Sequence, residues 1–330
     1  VKFFLTLFFS LSFVVINGQQ KYMSAHKVVK LMGSRFEITV VSSNEELGQI
    51  NIEEAIAEIT RIEKLISAWD PNSETSLINK NAGIKPVKVS LELFHLLERA
   101  KQISELTEGA FDISFASMDK VWKFDGSMKE MPTKEQIMKS VAKVGYEKII
   151  LDQKAQTVFL KEKGMKISLG AIGKGYAADK AKELLISKQV IAGLINAGGD
   201  LTTWGTKASG EKWLIGIANP LSKDKIFSWL PVVESSVATS GNYEQFVSFE
   251  GKKYTHIIDP RTGWPTSGIN SVSIFAKSAE LCDALATAVF IMGKESGLYL
   301  INQLAETEVI LVDDQNKIHK SDGIRFESNP

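Results

Sequence analysis

The stretch 168–179, SLGAIGKGYAAD, decides how this chain is read. It follows a short apolar segment, Met165–Ile167, of a strand expected near 165–169, and it opens a helical segment ending near Ser187. A strand, a glycine turn and a helix start make an anion site, because free backbone N–H groups and the helix dipole point at the ligand. Yet Gly170, Gly173 and Gly175 are spaced G-x-x-G-x-G. That is neither the dinucleotide fingerprint G-x-G-x-x-G nor the P-loop, since Gly175 follows Lys174 where a metal-binding hydroxyl would be needed. The run points to a phosphate ligand and excludes the two commonest ways of holding one.

The segments on either side of the run set the fold class. Downstream, strands are expected near 190–195, 201–204, 213–218, 226–233, 243–249, 253–258 and 270–276. Ser278 with Glu280 starts a helix through Met292, Lys294–Leu304 forms another, and Val309–Val312 is a terminal strand. Upstream, strands are expected in 28–42, entered through Met32-Gly33, and near 148–152 and 157–160. Apolar residues at helical spacing predict helices over Ile50–Ile66 and Leu91–Leu106. Thr133 with Gln136 marks a capping-box start for a helix to Lys143. The strands are hairpin-spaced and the helices grouped between them. This predicts an α+β fold with mixed, mostly antiparallel sheets: a single domain over 19–330, built of two interlocked subdomains.

Composition narrows the function classes. The chain has 330 residues, with 44% hydrophobic and 24% charged, which is ordinary for a globular protein. Lys+Arg and Asp+Glu are both 39, so bulk charge gives no argument for nucleic acid. Lys2, the apolar run Phe3–Ile16 and the small residue Gly18 before Gln19-Gln20 read as a signal peptide over residues 1–18. The expected location is therefore exported: periplasmic, soluble or membrane-associated on the periplasmic side. Cys282 is the sole cysteine, so no disulfide forms within the chain, and its apolar helical setting reads as a buried, inert thiol.

Several residues could carry chemistry. Asp283 and Thr287 stand at i and i+4 on a helix, so a carboxylate and a hydroxyl share one face. Oxygen ligands of this kind suit Mg²⁺, though a helical Asp is usually a solvated or capping residue and a helical Thr usually bonds its own backbone. His256 ends an apolar strand and enters the turn Asp259-Pro260-Arg261-Thr262-Gly263, a rigid position that suits a general base or a hydrogen-bonded structural histidine. Asn196-Ala197-Gly198-Gly199-Asp200 allows close backbone approach to a ligand or a plain turn. Trp69, Phe111, Trp122 and Trp264 could stack on a planar ring or fill the core. Ser240 lacks the G-x-S-x-G elbow of a serine hydrolase.

Together the blocks LMGSRF, EGAFDIS, LGAIGKGYAAD with NAGGD, SGNY followed by THIIDPRTG, and DALAT resemble the ApbE family, the FAD:protein FMN transferases. The resemblance runs from about Met32 to Val312. It implies that FAD is split at its diphosphate and its FMN half passed to a Thr or Ser hydroxyl of an exported acceptor flavoprotein of a membrane redox complex, leaving AMP. It implies that Asp283 and Thr287 bind Mg²⁺ through side chains and Ala171 through its carbonyl, with Ala286 beside them. Met32, Trp69, Ala110, Phe111, Asp112, Ser168, Lys174 and Ile257 would line the FAD site, and His256 would take the acceptor proton. The family often carries aspartate where Ser168 stands and tyrosine where Trp69 stands. The alternatives are Mg²⁺-dependent hydrolysis of FAD to FMN and AMP, and a non-enzymatic exported flavin-binding protein.

Overall fold

The helix opened by the glycine run packs on an antiparallel sheet of eight strands, in a computed structural model that describes residues 22–219, 222–242, 246–249 and 252–325. The expected signal peptide, residues 1–18, lies outside the described residues. β1 (Met23–Leu31) and β2 (Ser34–Ser42) form a hairpin through Met32-Gly33. Next come α1 (Glu45–Ile66), α2 (Glu74–Lys80), β3 (Val87–Lys88), α3 (Leu91–Leu106), α4 (Lys134–Ser140), β4 (Ile149–Asp152) and β5 (Thr157–Leu160). α5 (Gly173–Ser187) leads into β6 (Ala192–Ala197), β7 (Asp200–Trp204), β8 (Trp213–Asn219), β9 (Ser222–Val232) and β10 (Ser236–Gly241). After β11 (Phe246–Phe249), β12 (Lys252–Thr255) and β13 (Ile269–Ala276), the chain ends in α6 (Ala279–Met292), α7 (Lys294–Ile301), β14 (Glu308–Asp313) and β15 (Ile318–Lys320).

The large sheet has the order β1-β2-β6-β7-β10-β13-β14-β15, and every neighbouring pair is antiparallel. A smaller sheet, β3-β5-β4, and the hairpins β8–β9 and β11–β12 complete the strands. The fold is α+β, as the hairpin spacing predicts. Alternation explains how the large sheet serves two layers. Phe36, Ile38 and Val40 of β2 and Val272 and Ile274 of β13 enter the main core, shared with α1, α5 and α6. Phe275, the next residue of β13, joins Val237, Ile215 and Ile310 in a second cluster that includes β8. On α1 the buried positions Ile52, Ala55, Ile59, Ile62 and Ile66 keep helical spacing. Each such side chain contributes about 1.5–3 kcal/mol relative to exposure, more than the cap at Asn44, whose carboxamide oxygen accepts from Leu47 N (2.8 Å).

Three expectations need correction. Met165–Leu169 is not a strand, although Met165, Ile167 and Leu169 are buried. Distant side chains supply its backbone partners instead. Asn79 Oδ1 accepts from Ile167 N (2.8 Å) and Asn79 Nδ2 donates to Ile167 O (3.0 Å). Ser117 Oγ accepts from Lys166 N and donates to Lys166 O, both at 2.7 Å. The helix after Thr133 has its capping box but stops at Ser140, where Asp119 N takes the Ser140 carbonyl (3.0 Å). The helix after Lys294 stops at Ile301 and continues as turns, with Leu304 N donating to Ile301 O (3.0 Å). Among the described residues no helix is long and apolar enough to cross a membrane.

Candidate active site

The glycine run brings two helix backbones together. Gly175, in the first turn of α5, donates its N–H to Asp283 Oδ2 on α6 (3.1 Å). A Cβ on Gly175 would lie 2.1 Å from the Ala279 carbonyl oxygen, so only glycine permits this approach. The odd spacing of the run thus has a packing cause at its third glycine. The neighbouring Lys174 pairs through Nζ with Asp200 Oδ2 and stands 4.0 Å from Asp283 Oδ1. Asp200 is the first residue of β7, delivered by the tight Gly198-Gly199 turn, in which Gly199 N donates to Asn196 Oδ1 (2.8 Å).

Charge in this cluster is unbalanced. Asp200 and Asp283 are both buried, and Lys174 is the ammonium that contacts both. Burial, and then the negative charge of Asp283, push the Asp200 carboxyl up to about 7, against the pull of Lys174. Burial also raises the Asp283 carboxyl, opposed by Lys174 and by the Gly175 N–H. Two buried carboxylates against one ammonium leave negative charge that a cation would relieve.

Thr287 lies one turn beyond Asp283, half-buried, with Oγ1 3.4 Å from Ser240 Oγ on β10. Ala286 is buried beside it, and Ala171 precedes the α5 N-cap Ile172, packed against the main core. The Asp283 carboxylate and the Thr287 hydroxyl, one helical turn apart on α6, are hard oxygen donors of the kind that Mg²⁺ takes. Among the described residues no three His, Cys, Asp or Glu side chains gather as a metal site. Cys282, on the same helix, is buried and its thiol is pushed up by that burial, which keeps it inert.

Of the expected flavin residues, Met32 borders the start of α5. Met32 sits at φ +49° in the β1–β2 turn, with its N–H on Glu63 Oε2 (3.1 Å). Its Cε comes within 3.7 Å of where a Cβ on Gly173 would stand. Ala110 and Phe111 are buried just after α3, and Asp112 caps the 3-10 turn Ile113–Ser117 by accepting from Ser114 N (2.7 Å). Burial raises the Asp112 carboxyl. Ser168 N donates to Ile113 O (2.9 Å), and Ser168 Oγ accepts from Gly170 N (3.3 Å). This joins the Ala110–Asp112 segment to the glycine run.

The His256 loop meets the same segment. A Cβ on Gly109 would lie 3.5 Å from Arg261 Cγ, and the Arg261 guanidinium grips Asp259 at 2.9 and 2.8 Å. Trp122 Nε1 donates to Gly263 O (2.9 Å), and its ring stacks on Tyr254 at 5.5 Å. His256 follows the last residue of β12 and is half-buried. The Ile257 carbonyl accepts from Thr266 N (2.9 Å), closing the loop. Trp69 is 89% exposed beyond the end of α1, so its ring is free to stack. The rings of Phe111 and Trp122 are buried, which is the core role that the sequence left open beside stacking.

The structure therefore gathers Lys174, Asp283 and Thr287 at the α5–α6 contact. Met32 lies at the start of α5, and Ser168 ties the glycine run to Ala110–Asp112. Asp200 was missed as a site residue. Its signal is an aspartate directly after the Asn-Ala-Gly-Gly turn, at the mouth of a strand with buried Thr202, Thr203 and Trp204. A depression of about 480 Å³ lies on the outer face of α1, lined by residues such as Glu46, Ile50 and Glu53, none of them in this cluster.

The profile of the ApbE family matches residues 32–311. An FAD:protein FMN transferase of Klebsiella pneumoniae is 32% identical over 302 residues, covering 91% of this chain and 92% of that protein. One of Treponema pallidum is 32% identical over 288 residues, covering 83% and 80%. A crystal structure of the ApbE protein of Thermotoga maritima superposes with a TM-score of 0.82 at 30% identity, covering 91% of this chain and 97% of the other. The flavin transferase ApbE of Vibrio cholerae superposes at 0.78 and 24% identity, covering 91% and 98%.

Proposed function

The chain belongs to the ApbE family, and from that premise we propose that it transfers the FMN half of FAD to a hydroxyl of a partner protein. The observation that carries this reading is the buried Lys174–Asp200–Asp283 cluster at the backbone contact of α5 and α6. It is a preformed site for a cation and a charged diphosphate, in a fold shared with a crystal structure named for this family.

The acceptor is a Thr or Ser side chain. His256 takes its proton, the freed oxygen bonds to the FMN phosphorus, and the bond from that phosphorus to the bridging oxygen breaks. AMP leaves with the bridging oxygen and its electron pair. Mg²⁺, held by Asp283, Thr287 and the Ala171 carbonyl, would neutralise charge developing on the diphosphate. Lys174 brings a fixed positive charge to the same place, and Asp200 holds it there. Trp69 offers an exposed aromatic face for a flat ring, and Met32 and Ser168 border the glycine run. The apolar run Phe3–Ile16 supports export, with an acceptor flavoprotein of a membrane redox complex on the periplasmic side.

The test mixes the mature protein with FAD, Mg²⁺ and a candidate exported flavoprotein. Covalent flavin fluorescence on the partner in a denaturing gel, with AMP released in equal amount, is the expected result. Free FMN and AMP with no labelled partner would replace transfer with hydrolysis, and FAD bound but unbroken would leave a flavin-binding protein.

A further inference from the structure

Asp179 lies on α5 one helical turn beyond Gly175, and Ala279 lies on α6 one turn before Asp283. The two helices run antiparallel here, because Gly175 meets Asp283 while Asp179 meets Ala279. The Asp179 carboxylate accepts three hydrogen bonds from the first residues of α6. Oδ2 takes Ser278 Oγ (2.8 Å) and Glu280 N (3.0 Å), and Oδ1 takes Ala279 N (3.0 Å). These are N–H groups that a helix leaves without internal partners, and the negative charge faces the positive end of the helix dipole. Ser278 also caps α6 from within by accepting from Leu281 N (3.2 Å). Local capping is therefore already provided. What Asp179 adds is a connection to α5, 99–101 residues away in sequence.

We propose that Asp179 is a positioning residue that fixes the register of α6 against α5, and so sets where Asp283 and Thr287 present their oxygens. The proposal rests on Asp283 and Thr287 being the cation ligands. Register matters because a slide or rotation of α6 carries both ligands together, while Lys174 and Asp200 stay with α5 and β7. The carboxylate suits the role because all three groups bonded to it are donors. An asparagine would turn its N–H₂ either toward Ala279 N or toward Ser278 Oγ and Glu280 N, and in either orientation would lose at least one bond.

The experiment measures Mg²⁺ binding to the FAD-free protein by calorimetry, with Mn²⁺ binding by EPR as a second probe, for wild type, Asp179→Asn, Ser278→Ala and Asp283→Ala. Outer-shell partners of metal ligands typically change affinity by roughly 10- to 100-fold, and a loss in that range is expected for Asp179→Asn. Ser278→Ala weakens the start of α6 but keeps both backbone bonds to Asp179, so it should keep wild-type Mg²⁺ affinity even if its Tm falls. Asp179→Asn should retain its affinity for FAD measured without metal, which a general loss of structure would not allow. Wild-type Mg²⁺ affinity in Asp179→Asn, with affinity lost in Asp283→Ala, would overturn the positioning role alone. Equal losses in Ser278→Ala and Asp179→Asn would also overturn it, by reducing Asp179 to a cap. Wild-type affinity in Asp283→Ala would instead overturn the ligand assignment beneath it.

Discussion

Replacing Gly175 by alanine tests whether the glycine run exists to let α5 and α6 touch. The added Cβ would meet the Ala279 carbonyl oxygen at 2.1 Å, the Ala279 carbonyl carbon at 2.5 Å and Glu280 N at 2.8 Å. All three are backbone atoms of α6, so no rotamer change relieves them. Ordinary contact requires about 3.5 Å, so the helices must part by roughly 1 Å or more. Alanine gains about 1 kcal/mol over glycine in helix propensity. Overpacking costs about 1–3 kcal/mol, and the upper part of that range applies where backbone opposes backbone. The net effect is a loss of about 1–2 kcal/mol, or a Tm lower by several degrees at about 2–4 °C per kcal/mol. Parting the helices also breaks the 3.1 Å bond from Gly175 N to Asp283. A displacement of about 1 Å at reacting groups can cost on the order of 100-fold in rate. Thermal unfolding and the rate of flavin transfer measure the two effects separately. A Gly175→Ala protein more stable than wild type and equally fast would refute the close-approach argument, because propensity alone predicts that stabilisation.

His256→Ala should bind FAD normally and lose transfer by about 10²- to 10⁴-fold, the usual range for a general base. An FAD-binding defect as large as the rate defect would remove that role. Asp200 gives a pH prediction for metal-free protein. Its carboxyl stands at about 7 in the fold and near 3.9 when unfolded. Between those values the native state keeps a proton that the unfolded chain has lost, so its contribution to stability falls as pH rises from about 4 to about 7. Asp200→Asn should flatten the Tm-versus-pH curve across that window. Parallel curves for the two proteins would show that Asp200 is not held protonated by its buried neighbours.

Local signals in the sequence carried far. Leu91–Leu106 is legible because its apolar positions keep one face and Ser90 caps it by accepting from Leu93 N (3.3 Å). The β1–β2 hairpin is legible from the alternation around Met32-Gly33. Met165–Leu169 misleads because its burial pattern is that of a strand, while its partners are Asn79 and Ser117, 88 and 49 residues away. β10 escapes notice because Ser236, Thr239 and Ser240 look like a loop. Inside the sheet their hydroxyls find partners in Thr202, Ser273 and Thr287, so polar residues are tolerated at its centre. At the site, Asp283 and Thr287 follow from helical spacing and family resemblance, but Asp200 and Asp179 do not. Their roles come from contacts between elements far apart in the chain, which no window of sequence contains.

The acidic cluster at the α5–α6 contact is proposed to serve flavin transfer by holding a cation. The most direct test titrates Mg²⁺ against FAD turnover in purified Asp283→Ala, alongside wild type with the same acceptor. No Mg²⁺-dependent turnover is expected at any concentration, in a protein that still folds. Wild-type turnover with an unchanged Mg²⁺ dependence would contradict it.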